Sequence, residues 1–240
     1  MNESQIDYHL YHTLKNKNIN DFKSFYKGTF ASNELSHPRL RVVSLKKSKC
    51  FGFIFNSLMR HQSNNMGHWL AIVVKNMPKS KLLSIKFFDS YKKPYSFYGT
   101  YVTNYINNLR RQSINMNYKF KLENAPFILQ DYNSKVCGAY AIYVIARLRS
   151  CKQNTLKNIY KHFDAKRRSK NDLKIGEYVA KNWPKKTCSD MLNNPKGVSF
   201  CPRKVYNHPK CLTSCICKKP CCQSPKSKEY IRQVLLKQLI

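Results

Sequence analysis

The segment DYNSKVCGAYAIYVIARLRS, residues 131–150, constrains the fold of this 240-residue chain more than any other. From Cys137 onward it is apolar on every side, unlike an amphipathic surface helix, and it predicts a helix buried in the middle of a domain. Its charge-free run, residues 136–146, falls far short of the roughly 20 residues that a spanning helix needs, so membrane insertion is not expected. A helix buried on all sides needs other layers to cover it. Two strand-like runs supply one: HWLAIVVK at 68–75 and KLLSIKFFD at 81–89, joined by the turn-prone Asn76-Met77-Pro78-Lys79-Ser80, read as a β-hairpin. Ile6, Leu10 and Leu14 at spacing four predict an opening helix over 4–16. A helix around 101–110, a strand at 127–130 and a basic helical region over 156–179 complete an α+β domain. Arg147 and Arg149 fall at the end of the buried helix, where cations favour the helix dipole. Beyond Trp183-Pro184 the composition changes, and seven of the ten cysteines lie in 188–222.

Forty-four Lys and Arg against twelve Asp and Glu give a net charge of +32, while the apolar fraction of 42% remains that of a folded globule. A compact body at that charge repels itself, and a polyanion relieves the repulsion. Nucleic acid is the first candidate partner; an acidic membrane surface and acidic proteins are the alternatives. The opening MNESQIDYHLYHTLKNK has no apolar signal core, so the expectation is a reducing compartment in which thiols stay free unless they bind metal or react.

Cys137 opens the buried helix. Backbone N–H groups and the dipole at a helix N-terminus favour thiolate over thiol, and Gly138 removes a side chain that would obstruct a substrate carbonyl. His68 heads one strand and Asp89 closes the next, so the hairpin brings imidazole and carboxylate to the same end. In that arrangement His68 takes the Cys137 proton and Asp89 fixes the imidazole tautomer. Gln130, seven residues before Cys137, offers a side-chain amide that with the Cys137 N–H forms an oxyanion hole. Taken singly, these are a buried thiol, a strand-end histidine, a turn aspartate and a solvated glutamine. The combination carries the chemistry.

The order Gly67-His68-Trp69, then Phe87-Phe88-Asp89-Ser90, then Gln130 to Gly138 with NSKVCG resembles the adenovirus-type endopeptidases, within the larger group of ubiquitin-like protein proteases. The resemblance covers about residues 4–150 and includes Phe-Tyr-Lys-Gly-Thr-Phe at 25–30. It implies a papain-like, ubiquitin-like-protease fold: a mixed central β-sheet packed by helices, with the nucleophile at the N-terminus of a buried helix. It also implies the roles of nucleophile for Cys137, general base for His68, orienting acid for Asp89 and oxyanion donor for Gln130. The change in composition divides the chain into a protease domain over 1–187 and a basic cysteine-rich extension over 188–240, which is not a feature the resemblance accounts for. Asp in the orienting position is the habit of the ubiquitin-like proteases, whereas the seven-residue Gln to Cys spacing is closer to the adenoviral pattern. No cofactor is required for the chemistry. The resemblance further implies cleavage of viral capsid and core precursor polypeptides at small-residue motifs, in the virion and host nucleus, with DNA as an activator. It implies an activating peptide joined through a disulfide as well, but no cysteine lies between Cys50 and Cys137 to serve as its counterpart.

Cys201, His208, Cys211, Cys215, Cys217, Cys221 and Cys222 are dense enough for zinc, yet their spacings fit no standard finger. Zinc, a disulfide-stapled tail and an unstructured basic tail all stay open. Lys166-Arg167-Arg168-Ser169-Lys170 is basic enough for nuclear import or for DNA, although such runs are usually solvated helix faces. Besides the endopeptidase, three functions stay open: a deconjugase of ubiquitin-like proteins, an acetyltransferase with the same triad, and a DNA-binding virion core protein without turnover.

Overall fold

The computed structural model describes residues 3–15, 24–41, 49–62, 67–149 and 155–182. Five strands form one sheet in the order β1 Tyr26–Ala31, β2 Lys49–Asn56, β3 Trp69–Met77, β4 Leu82–Phe88 and β5 Lys119–Asn124. The central pairs β2–β3 and β3–β4 are antiparallel, and the outer pairs β1–β2 and β4–β5 are parallel. The sheet is therefore mixed, as expected.

The three inner strands are apolar at nearly every position because both faces of the sheet are covered. Phe51, Phe53 and Phe55 of β2, Leu70, Ile72 and Val74 of β3, and Leu83, Ile85 and Phe87 of β4 point to one face. There they meet Val102, Ile106 and Leu109 of α2, Thr100–Asn115. The alternate residues Ile54, Ala71, Val73 and Phe88 face α3, Cys137–Leu148. Every α3 residue from Gly138 to Ala146 is buried. α1, Glu3–Lys15, α4, Leu156–Tyr160, and α5, Arg168–Lys181, add Ile6, Leu10, Ile159, Ile175 and Val179 to that second core. Gly52 lets α3 approach the sheet: a Cβ there would lie 2.9 Å from both Ile145 Cδ1 and Phe25 Cζ.

Three sequence expectations change. The strand expected at 127–130 is a loop, held by Leu129 N–H and Gln130 N–H donating to Ser90 O at 2.9 and 3.3 Å. The fifth strand is instead 119–124, whose alternating KFKLEN belongs to a half-covered sheet margin. The basic region over 156–179 is two helices broken by a turn. No helix among the described residues is long and apolar enough to cross a membrane. The extension from 188 lies outside the described residues, and so do its metal candidates Cys201, His208, Cys211, Cys215, Cys217 and Cys221. Among the described residues no group of His, Cys, Asp and Glu is gathered to hold a metal. Cys137 carries a free thiol, whereas Cys50 is disulfide-bonded, against the expectation that unreactive thiols stay reduced.

Candidate active site

The hairpin places His68 just before β3 and Asp89 just after β4, at one end of the sheet. His68 is gripped through its backbone: its N–H donates to Ser57 Oγ at 2.9 Å, and its carbonyl accepts the Ser57 N–H at 2.8 Å. Gly67 before it has φ of +33°, and a Cβ there would fall 1.9 Å from Asn56 Oδ1, so the approach to His68 requires glycine.

His68 Nε2 lies 2.6 Å from Asp89 Oδ1. The fully buried Asp89 carboxylate also accepts the Tyr91 N–H at 2.9 Å, the Lys93 N–H at 2.6 Å and the Tyr98 hydroxyl at 2.8 Å. Burial would raise its pKa, but the His68 hydrogen bond and charge, with these donors, hold it below the usual carboxylate value. Asp89 is thus a fixed anion.

His68 also hydrogen-bonds to the Cys137 side chain, which leaves Nδ1 as the nitrogen on the sulfur side. Burial would lower the imidazole pKa, but the hydrogen bonds and charges of Asp89 and Cys137 overcome it and raise the value to about 9. Burial would raise the Cys137 thiol, and here the His68 hydrogen bond and charge, with the Trp69 N–H, carry it below its ordinary value. The two shifts have opposite signs and one cause. Proton transfer from thiol to imidazole is favoured, which is what a nucleophilic cysteine needs.

Gln130 is buried in the loop before α3. Its Oε1 accepts the Ser90 hydroxyl at 2.7 Å, and its Nε2 donates to Ser134 O at 2.8 Å. The amide is thereby oriented, and among the described residues its second N–H has no acceptor. The loop is braced from α5. Buried Asp172 accepts the Asp131 N–H at 3.0 Å and the Tyr140 hydroxyl at 2.9 Å. Asn171 Nδ2 donates to Asp164 O at 2.7 Å and Leu129 O at 3.4 Å.

Tyr91 and Tyr98 stack on the imidazole at centroid separations of 4.9 and 6.0 Å. The sequence reading gives no role to either tyrosine or to Asp172, and takes Ser90 and Ser134 only as members of the quoted motifs. The one signal was position, since Ser90 and Tyr91 directly follow Asp89. The basic run 166–170 is not a continuous helix face. It crosses from a turn into α5, Arg167 Nε sits 3.7 Å from Asp164 Oδ2, and Arg168 lies 5.0 Å over the Tyr132 ring.

Among curated proteins, none matches the chain. Among solved structures it is similar to the ASFV pS273R protease at 17% identity and a TM-score of 0.44, covering 63% of this chain and 59% of that one. A de-sumoylating protease is similar at 16% identity and a TM-score of 0.42, covering 75% and 79%. The chain thus spans less than two thirds of the ASFV protease's length. The family model of the Ulp1 protease family, C-terminal catalytic domain, matches residues 53–179. That span is over half of the chain and takes in His68, Asp89, Gln130 and Cys137, and the protein belongs to this family of cysteine proteases.

Proposed function

We propose that the protein is a cysteine endopeptidase of the adenovirus type that cleaves precursor polypeptides at small-residue sites during virion maturation. The observation that carries this reading is the imidazole of His68 hydrogen-bonded to both Asp89 and Cys137. Cys137 Sγ attacks the scissile carbonyl carbon, and a C–S bond forms as the carbonyl oxygen takes the negative charge. The Cys137 N–H and the second Gln130 N–H receive that oxyanion. His68 then gives its proton to the departing amine, and the C–N bond breaks. Water attacks the thioester with His68 as base and restores the thiol. Asp89 keeps the imidazole oriented throughout.

The high net charge supports association with DNA in the virion or host nucleus, as activator or anchor. Binding to a random duplex should weaken markedly between low and moderate salt. A second reading, removal of a ubiquitin-like protein, is favoured by the Ulp1 family match itself. The deciding test incubates the protein, with and without DNA, on Gly-containing peptides and on a ubiquitin-like fusion, with Cys137→Ala alongside. Peptide cleavage that DNA stimulates and Cys137→Ala abolishes supports the endopeptidase. Cleavage of the fusion alone supports the deconjugase, and a Cys137 thiol unreactive at neutral pH overturns both.

A further inference from the structure

A continuous run of rings leads outward from His68. In one direction it passes to Tyr91 at 4.9 Å, to Tyr132 at 5.8 Å, and ends under the Arg168 guanidinium at 5.0 Å. In the other it passes to Tyr98 at 6.0 Å, to Phe97 at 5.3 Å, and ends under the Lys93 ammonium at 5.2 Å. Tyr132 and Phe97 are each 63% exposed, so the outer rings are not core. Each arm is three short steps long. At roughly 3.3 Å per extended residue, both cations lie within about five residues of a bond held at Cys137.

The carboxylates near this rim are hydrogen-bonded but keep their charge, and Asp89, Asp131 and Asp172 all act on the inner ring, Tyr91. Asp89 holds His68, Asp131 accepts the Asn133 N–H, and Asp172 is buried against Asp131 and Tyr140. Lys135, between Tyr132 and the nucleophile, is exposed. The outer ends of the two arms are therefore exposed rings topped by cations, Arg168 over Tyr132 and Lys93 over Phe97. Such a surface attracts side chains that are acidic, with apolar stems to lie on the rings.

We infer that the site selects polypeptides carrying acidic side chains within about five residues of the scissile bond, read by Arg168 over Tyr132 and by Lys93 over Phe97. The inference rests on Cys137 being the nucleophile, since that makes the rim part of the substrate's path. Single-stranded nucleic acid also stacks on rings among cations, but the rim adjoins a centre built for acyl transfer, which favours peptide.

The test uses two vinylogous peptide electrophiles, with Gly-Gly before the double bond and three Glu, or three Lys, on each flank. At low salt the Glu probe should alkylate Cys137 about tenfold faster than the Lys probe, with the ratio collapsing towards one at high salt. Arg168→Glu combined with Lys93→Glu should lower the ratio at least about threefold, whereas Lys119→Glu, at the far end of the sheet, should not. A wild-type ratio within about twofold of one overturns the inference, as does an equal fall with Lys119→Glu. So does an oligothymidine that blocks both probes equally and loses its grip in the Arg168→Glu variant. Iodoacetamide reports thiol activation separately. If Cys137 is inert to it, fluorescence anisotropy with the same peptides lacking the double bond reads the preference without chemistry, and equal affinities overturn it.

Discussion

The two ends of the β3–β4 hairpin are made from the same strands and behave oppositely. At one end His68 and Asp89 meet in a buried pair whose carboxylate accepts three further donors. At the other, Pro78–Ser80 and left-handed Lys81 turn the chain beside Asn117, Tyr118 and Lys119, around an open hollow of about 460 Å³. The hollow has room and charge, but its lysines are exposed and no cysteine, histidine or carboxylate lines it. What separates the ends is desolvation. Charge in water interacts weakly, whereas the enclosed groups of Asp89 and Cys137 overcome the burial of His68 and move the imidazole pKa to about 9.

Asp89→Asn tests that difference most severely. It should lower kcat by roughly 10²- to 10⁴-fold, because a neutral amide does not balance the charge of the imidazolium. The same variant should shift the pH profile. In the wild type His68 is protonated below about 9, so activity should fall as the pH rises through that value. Without the Asp89 charge, which raises the His68 pKa, the fall should come at lower pH. Peptide hydrolysis across pH measures both, and a kcat within tenfold of wild type would make the paired end no more consequential than the far one.

Gln130→Ala should cost about 100-fold in kcat with KM little changed, since in the proposed mechanism its second N–H serves the developing oxyanion. An effect confined to KM would relegate Gln130 to loop support. Gly67→Ala comes next. Its Cβ would collide with Asn56 Oδ1, and denaturant unfolding should show a loss of about 1–3 kcal/mol. At the far end Lys81→Gly should change stability by less than about 1 kcal/mol, because relief of the left-handed backbone is offset by a freer unfolded chain. It should leave turnover unchanged. A loss of turnover there would break the contrast.

The buried nucleophile helix and the hairpin were legible because their signals are local. All-round apolarity marks α3, and turn residues at 76–80 separate two apolar runs. Apolarity also misled, since Phe127, Ile128 and Leu129 read as a strand. The end of this segment, Leu129 and Gln130, is pinned by Ser90, some forty residues away in sequence, and no periodicity reveals that. β5 was missed because Lys119 and Lys121 break its apolar pattern on the open side. Within the site, the order of His68, Asp89, Gln130 and Cys137 could be read along the chain. The groups that orient them could not. Ser90, Tyr98 and Asp172 act through hydrogen bonds to residues distant in sequence, 40, 9 and 41 positions away, and their residue types are ordinary wherever they occur.

β5 ends the described sheet, and a strand in that position presents unpaired backbone groups on which another chain can add. Here the strand is six residues long, and among its exposed side chains are the lysines Lys119 and Lys121. A second molecule approaching edge to edge would have to bring its own lysines against these. The positive charge at this edge therefore works against self-association. Neutralising both lysines would remove that guard, and sheet-to-sheet aggregation would appear before any loss of catalysis.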